Sequence, residues 1–213
     1  MIRNIFGLFS CKNQGKNGYF PVMYSNKRTG YAKDKNLRNS KKKKKEIAVK
    51  FDDLEWLYSP NWEYFDYGNC KRHLQVIMPY SKKGLEKKYP VIFYITGAAW
   101  HKQEMYNDIP KLVELAKKGT AIVSIEVRES DIAIFPAQIE DIKNAMECVA
   151  EKITKFDLPF DIKEAYLMGH SSGGHLAMMA VLHNACGMIE MPNVKGVILE
   201  SASSDILICA NEP

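Results

Sequence analysis

Apolar runs typical of buried strands alternate with segments of helical periodicity along residues 91–199. The strand runs are rich in β-branched and aromatic residues and show no polar alternation, as expected for strands covered on both faces. The predicted strands are Val91–Ile95, Ala121–Val127, Ala165–Met168 and Val197–Leu199, and the predicted helices span 107–118, 137–153 and 173–185. Strands and helices that alternate at this spacing predict a doubly wound, mostly parallel α/β sheet.

The segment before this region has a less regular pattern. We expect a strand at His73–Met78 that ends at Pro79, because proline cannot donate to a strand ladder. Ser59, Pro60 and Asn61 predict a turn between two aromatic-rich stretches. The globular domain is therefore expected to span residues 51–213.

The N-terminal fifty residues differ sharply in charge from the rest. Residues 1–50 contain 14 Lys and Arg against 2 acidic residues, whereas residues 51–213 contain 16 and 23. Such a basic segment, with five lysines at 41–45, predicts a largely disordered arm, since it holds too little apolar surface to fold. The preferred interpretation is a solvated linker, and attraction to nucleic acid or an anionic membrane is the less favoured alternative.

The spacing of the cysteines and the first residues of the chain give expectations about disulfides, metal sites and cellular compartment. The five cysteines are widely spaced without a C-x-x-C pair, which predicts reduced, mostly buried thiols and no metal site. No cofactor motif is found. Ile5–Phe9 is too short for the apolar part of an export signal, which favours the cytoplasm, although secretion or a lipoprotein anchored at Cys11 stays open.

A G-x-S-x-G pattern lies where the third predicted strand meets a helix. The segment Gly169–Gly174 reads Gly-His-Ser-Ser-Gly-Gly. A sharp strand-to-helix turn would lift the Ser171 hydroxyl above the sheet, and it requires small residues at Gly169 and Gly173. The following helix would aim backbone N–H groups at a developing oxyanion. The pattern predicts a serine nucleophile.

A second stretch of small residues, Thr96–Trp100, follows the strand Val91–Ile95. Acyl-transfer enzymes of this architecture take one oxyanion-hole N–H from this loop. Alone, the stretch would favour a packing turn around Trp100. Together with Ser171 it favours a catalytic role.

With these motifs in order, the chain from about Trp56 onward resembles the α/β-hydrolase superfamily, specifically the BD-FAE-like esterase group of acetyl-xylan and feruloyl esterases. Kynurenine formamidase and hormone-sensitive-lipase-like esterases are close to that group. The segments that carry the resemblance are Val91–Trp100, Val127–Ser130, Phe135–Asp141 and Gly169–Gly174. The resemblance implies a carboxylic ester as substrate, carbohydrate or small molecule, and Ala98 and Ser172 as the oxyanion donors.

The chain also departs from that group. Thr96 stands where the group has histidine, and Ala98 replaces a glycine. The resemblance further implies that the last strands and helices of the family's sheet are absent, and with them the acid and histidine of the triad. We therefore expect an apolar sheet edge at Val197–Leu199, prone to self-association.

No residue of the chain is identified as the triad acid or histidine. The last histidine, His183, lies in the helix that follows Ser171, and His175 on the same helix is expected to pack or face solvent. His101, His170, Glu200 and Asp205 lie near the predicted site or after the last strand, but none is assigned as a base or acid. The predicted function is a serine esterase that is nearly inactive as this chain, and the alternative is a binding protein that retains the hydrolase scaffold.

Overall fold

The apolar runs of the sequence form the central strands of one mixed sheet. The structure is a computed structural model that describes residues 55–68, 70–81 and 88–206, together with the backbone of Tyr24–Ser25. Its strands are β1 (Tyr24–Ser25), β2 (Glu55–Asp66), β3 (Lys71–Tyr80), β4 (Tyr89–Ile95), β5 (Ala121–Ile125), β6 (Phe160–His170) and β7 (Gly196–Glu200). Its helices are α1 (Ile109–Lys117), α2 (Ala137–Phe156) and α3 (Ser172–Ala185).

The strand order of this sheet is β1-β2-β3-β5-β4-β6-β7 in the part of the chain described. Strands β5, β4, β6 and β7 pair in parallel, and the three earlier pairings are antiparallel. Helices α2 and α3 pack on one face, and α1 packs on the other. The predicted doubly wound α/β fold is confirmed.

Strand β4 occupies the centre of the sheet and sets the position of its neighbours. The side chains of Phe93, Tyr94 and Ile95 are fully buried, and each such burial stabilises the fold by roughly 1.5–3 kcal/mol. Ile95 pairs in register with Ile125 of β5 and Gly169 of β6. The carboxyl ends of the parallel strands β4, β5 and β6 therefore lie side by side at one end of the sheet.

Three predicted boundaries were wrong, each for a physical reason. Residues 59–61 do not separate two elements, because β2 runs through them with an irregularity between Ser59 and Trp62 and a left-handed Asn61 (φ 57°). Strand β3 continues past Pro79, whose position lies beyond the stretch that pairs with β5. Strand β5 ends at Ile125, and Val127 already belongs to the following loop.

Several predictions fall outside the described residues. The predicted arm of residues 1–50 lies outside them apart from β1, which pairs with Leu57 and Tyr58. Cys11 and Cys209 also lie outside the described residues. Of the other thiols, Cys70 and Cys148 are half-buried and Cys186 is exposed, so the prediction of mostly buried thiols is wrong for these three described cysteines. Burial raises the pKa of the Cys148 thiol.

Strand β7 forms one edge of the described sheet. Its Ile198 and Leu199 side chains are 42% and 44% exposed, so apolar side chains do lie at this edge. Self-association through β7 stays a prediction. Separately, none of the helices in the described ranges is both long and apolar enough to cross a bilayer.

Candidate active site

Ser171 lies at the turn that joins β6 to α3, with φ 52° and ψ −125°. A non-glycine residue in this region carries strain of about 1–3 kcal/mol, which the surroundings must offset. The Ser171 N–H donates to the Glu200 carbonyl oxygen of β7 (2.9 Å), and the Ser171 carbonyl oxygen accepts from the His175 N–H (3.1 Å). These two bonds hold the strained turn from both sides.

The backbone around this turn is packed so closely that only glycine fits. A Cβ atom placed on Gly169 would lie 2.3 Å from the Gly173 carbonyl oxygen, and one on Gly173 would lie 2.1 Å from the Ile95 carbonyl oxygen. A Cβ atom on Gly97 would lie 2.9 Å from the Ser171 Cβ atom. Helix α3 thus starts directly against β4, and the loop after β4 lies beside Ser171.

Helix α3 begins directly after Ser171. The first N–H groups of a helix have no partner within the helix, and the helix dipole places partial positive charge there. Ser172 is the first residue of this 14-residue helix, and its side chain is buried. The position directly after Ser171 can therefore stabilise negative charge.

The loop after β4 has an unusual backbone. Ala99 and Trp100 both adopt left-handed conformations, with φ 47° and 62°. The N–H of Ala98 donates to the Ser172 Oγ atom at 2.9 Å. The predicted oxyanion donor is therefore engaged by a side chain of α3, a contact between residues 74 positions apart that sequence patterns do not reveal.

His175 packs inside the protein, one of the two places expected for it, and its partner is Trp100. It is buried, and its Nδ1 atom accepts a hydrogen bond from the Trp100 Nε1–H at 3.3 Å, with the two rings in edge-to-face contact. Burial lowers the pKa of the imidazole, which keeps it neutral and able to accept this bond. His175 thereby fixes the loop that carries Ala98.

Gln103 joins this loop to the loop after β5, and sequence analysis missed it. Its Nε2 donates to the Thr96 carbonyl oxygen (2.7 Å), and its Oε1 accepts from the Val127 N–H (2.8 Å). The Trp100 carbonyl oxygen also accepts from the Ser130 N–H at 3.0 Å. The two loops are therefore bonded to each other at several points.

Arg128 and Asp141 join the loop after β5 to α2. Asp141 is fully buried and accepts from the Arg128 backbone N–H (2.7 Å), the Arg128 Nε–H (2.9 Å) and the Tyr67 hydroxyl. The guanidinium also lies over the Tyr67 ring, 3.8 Å from its centroid. Two segments that carried the family resemblance, 127–130 and 135–141, are thus joined by ion pairs from Arg128 to the fully buried Asp141 and to the exposed Glu140.

A cavity of about 320 Å³ opens beside the loop after β4. Its apolar and aromatic walls include Trp100, Phe135, His175, Leu176, Met179 and Ile206. Gln138 also lines it, but the Gln138 Nε2 atom already donates to the Arg128 and Ala133 carbonyl oxygens. The cavity therefore presents a mainly apolar surface next to the candidate site.

None of the five histidines, all within the described residues, hydrogen-bonds to the Ser171 hydroxyl. His101 and His170 are exposed, and the others contact other groups: His73 with Glu126, His175 with Trp100 and His183 with the Phe135 ring. The Glu200 carboxylate pairs with Lys111, and Asp205 is exposed. The described residues do not assemble a Ser-His-Asp arrangement, nor do they contain a group of three potential metal ligands.

The family comparison agrees with this architecture. Residues 75–208 match the family model described as BD-FAE. Among curated relatives, the chain is 33% identical over 100 residues to esterase LipQ of Mycobacterium tuberculosis, covering 45% of this chain and 23% of that protein. It is 27% identical over 120 residues to isoprenylcysteine alpha-carbonyl methylesterase of Arabidopsis thaliana, covering 56% and 27%. The chain spans about a quarter of the length of these relatives.

Solved structures give the same fold. Bacterial heroin esterase superposes with a TM-score of 0.58 at 22% identity, covering 74% of this chain and 47% of that one. Esterase B of Lactobacillus rhamnosis gives a TM-score of 0.60 at 20% identity, covering 72% and 50%. At these identities the likeness is evidence for the fold alone.

Proposed function

This chain belongs to the BD-FAE family of α/β-hydrolases, and we propose that it acts on carboxylic esters with Ser171 as the nucleophile. The observation that carries the proposal is the strained backbone of Ser171 at the β6–α3 turn. Strain of this kind is retained where function needs it. The close approach of Gly97 supports the proposal, because it brings the loop after β4 beside the Ser171 side chain at its Cβ atom.

In the proposed reaction the Ser171 Oγ atom attacks the ester carbonyl carbon and loses its proton to a base. The carbonyl oxygen becomes negatively charged in the tetrahedral intermediate, where the N–H groups of Ala98 and Ser172 and the α3 dipole stabilise it. Collapse of the intermediate breaks the bond to the alcohol, which leaves with a proton. Water then releases the acid from the acyl-serine by the same steps.

No histidine of the chain is identified as the base that would deprotonate the Ser171 hydroxyl. The imidazoles of the chain are engaged elsewhere or exposed, as described above. A serine hydroxyl without a base is a poor nucleophile, and loss of a triad member lowers the rate by several powers of ten. We therefore propose that the 213-residue chain hydrolyses esters only at a residual rate.

Added imidazole tests both parts of the proposal. We expect imidazole at about 50–200 mM to restore part of the rate of p-nitrophenyl butyrate hydrolysis, because a free base can replace the absent one. The same additive should speed labelling by a fluorophosphonate probe, with the label mapped to Ser171 by peptide mass spectrometry.

The matched control is Ser171→Ala, which removes only the hydroxyl and leaves the imidazole-catalysed background in solution. Equal rates for the two proteins at every imidazole concentration would contradict the proposal. Full activity without imidazole would contradict the residual rate and indicate a base outside the expected family pattern.

The cavity beside Trp100 favours an ester with an apolar group over a carbohydrate ester. Sugars are held by hydrogen bonds, and Ser130 is a polar residue of the lining that can make one. The side-chain amide N–H of Gln138 and the Nδ1 atom of His175 are already used inside the protein. An apolar side chain such as Met179 can contact acyl or aryl carbons instead.

In the imidazole-supported assay, p-nitrophenyl hexanoate is therefore expected to exceed p-nitrophenyl acetate in kcat/KM by about tenfold or more, since each buried methylene contributes about 0.8 kcal/mol. Met179→Asp should reduce the hexanoate value more than the acetate value. The control Met188→Asp changes an exposed methionine outside this cavity and should affect neither. Acetate preference in the unmodified protein would contradict the assignment.

A binding protein on the same scaffold is the second candidate. Two observations favour it. Among the described residues no histidine hydrogen-bonds to the Ser171 hydroxyl, and the Ala98 N–H already donates to the Ser172 Oγ atom. This candidate predicts that an alkyl phosphonate binds while Ser171 stays unlabelled at every imidazole concentration.

A further inference from the structure

The Ala98 N–H is already satisfied in this structure, although the proposed reaction requires it for substrate. It donates to the Ser172 Oγ atom at 2.9 Å, a normal hydrogen-bond length, and the Ser172 side chain is only 3% exposed. A buried N–H without an acceptor is strongly disfavoured. Ala98 is only partly buried, and the Ser172 hydroxyl supplies an acceptor for its amide when no substrate oxygen is bound.

A hydroxyl oxygen and an ester carbonyl oxygen compete for the same donor. One N–H makes one well-aligned hydrogen bond, so a substrate oxygen bonds to Ala98 only after the Ser172 Oγ atom has moved. Serine side chains exchange between staggered rotamers without moving the backbone. Rotation about the Ser172 Cα–Cβ bond is therefore sufficient to free the amide.

A second hydroxyl-bearing residue, Thr96, lines the cleft at Ser172. Thr96 and Ser172 line the same narrow cleft, of about 10 Å³. The Thr96 Oγ1 atom is buried and has no hydrogen-bond partner among the described residues. A hydroxyl group both donates and accepts, so the cleft that Ser172 lines also holds an unused hydrogen-bonding group, the Thr96 hydroxyl.

We propose that the Ser172 side chain is an internal placeholder for the substrate's carbonyl oxygen, and that its rotation opens the oxyanion site. This inference rests on the proposed function, because it assumes that Ala98 N–H serves as an oxyanion donor. It assigns to the Ser172 side chain a role separate from that of its backbone N–H. When no substrate is bound, the Ser172 hydroxyl keeps the Ala98 N–H hydrogen-bonded. It thereby lowers the affinity for any ligand that needs the Ala98 amide.

Ser172→Ala tests the proposal, since it removes the hydroxyl and keeps the backbone N–H. The first measurement is amide hydrogen exchange at Ala98 by NMR, which should become faster in the variant. The second is the affinity for n-butylphosphonate, a tetrahedral anion that needs no covalent step, followed through the Ala98 and Ser172 amide resonances. We expect binding to strengthen about two- to tenfold, the range of one net hydrogen bond.

The matched control is Ser124→Ala. Ser124 is a buried serine of β5 whose hydroxyl has no partner in the described part of the chain, so its removal frees no amide at the site. Exchange at Ala98 and phosphonate affinity should both stay unchanged in this variant. Ser172→Thr, which retains a hydroxyl, should keep Ala98 protected.

Weaker or unchanged phosphonate binding in Ser172→Ala would overturn the proposal, and would mean that the hydroxyl holds the loop in place instead. Unchanged exchange at Ala98 would overturn it too. Both readouts are independent of Ser171. Absence of Ser171 labelling in the presence of imidazole therefore refutes the proposed nucleophile, whereas failure of the Ser172 readouts alone refutes only the placeholder.

Discussion

Replacing Gly173 with alanine is expected to lower the free energy of unfolding by more than about 4 kcal/mol, or to prevent folding altogether. The added methyl carbon would lie 2.1 Å from the Ile95 carbonyl oxygen and 2.9 Å from that of Thr96. Both oxygens belong to backbone at the end of the central strand, and neither can move away as a flexible side chain would. Urea denaturation followed by circular dichroism measures the change.

Gly196→Ala provides a matched control. A Cβ atom on Gly196 would have the Tyr166 ring as its nearest neighbour at 3.6 Å, an ordinary contact, and Gly196 lies in a strand. Its stability should stay within about 1 kcal/mol of the unmodified protein. Similar stabilities for the two variants would show that α3 does not start as close to β4 as described.

Asp141→Asn is expected to lower the free energy of unfolding by about 3–5 kcal/mol, because it removes one charge of a buried pair and leaves the other. The Asp141 carboxylate accepts from the Arg128 backbone N–H and Nε–H and from the Tyr67 hydroxyl. An asparagine side chain keeps one acceptor oxygen but turns an NH₂ group toward these donors. The change is measured by the same urea titration.

Glu140→Gln is the comparison for this effect, since it removes the other carboxylate that contacts Arg128. Its side chain is 57% exposed and lies 3.2 Å from the guanidinium. Exposed pairs contribute little, so we expect a change below about 1 kcal/mol. A larger loss in Glu140→Gln than in Asp141→Asn would reverse the assignment of the buried partner.

Much of the fold could be predicted from the sequence because its central strands are covered on both faces. Strand β4 differs from the predicted Val91–Ile95 by two residues at its start, and α3 begins one residue before the predicted 173. The first strands were harder to predict, because β2 is only partly buried and passes through Pro60 and Asn61. Local turn preference was overridden there by pairing with β3.

The candidate site was only partly predictable, for a different reason. The positions of Ser171 and of the loop at 96–100 follow from local patterns at the ends of strands. The contacts Ala98–Ser172 and Trp100–His175 join residues about 75 positions apart. Such contacts depend on how β4 and β6 pair, and a pattern within one segment carries no information about them.

The bridge made by Gln103 has a consequence for redesign. Because one amide group bonds to Thr96 on one side and Val127 on the other, a change in the conformation of either segment is transmitted to its neighbour. Attempts to give this scaffold a new substrate specificity should therefore replace residues 96–103 and 127–130 together, with both segments taken from one source protein. Replacing only one of them would combine a new segment with a neighbour that it does not fit.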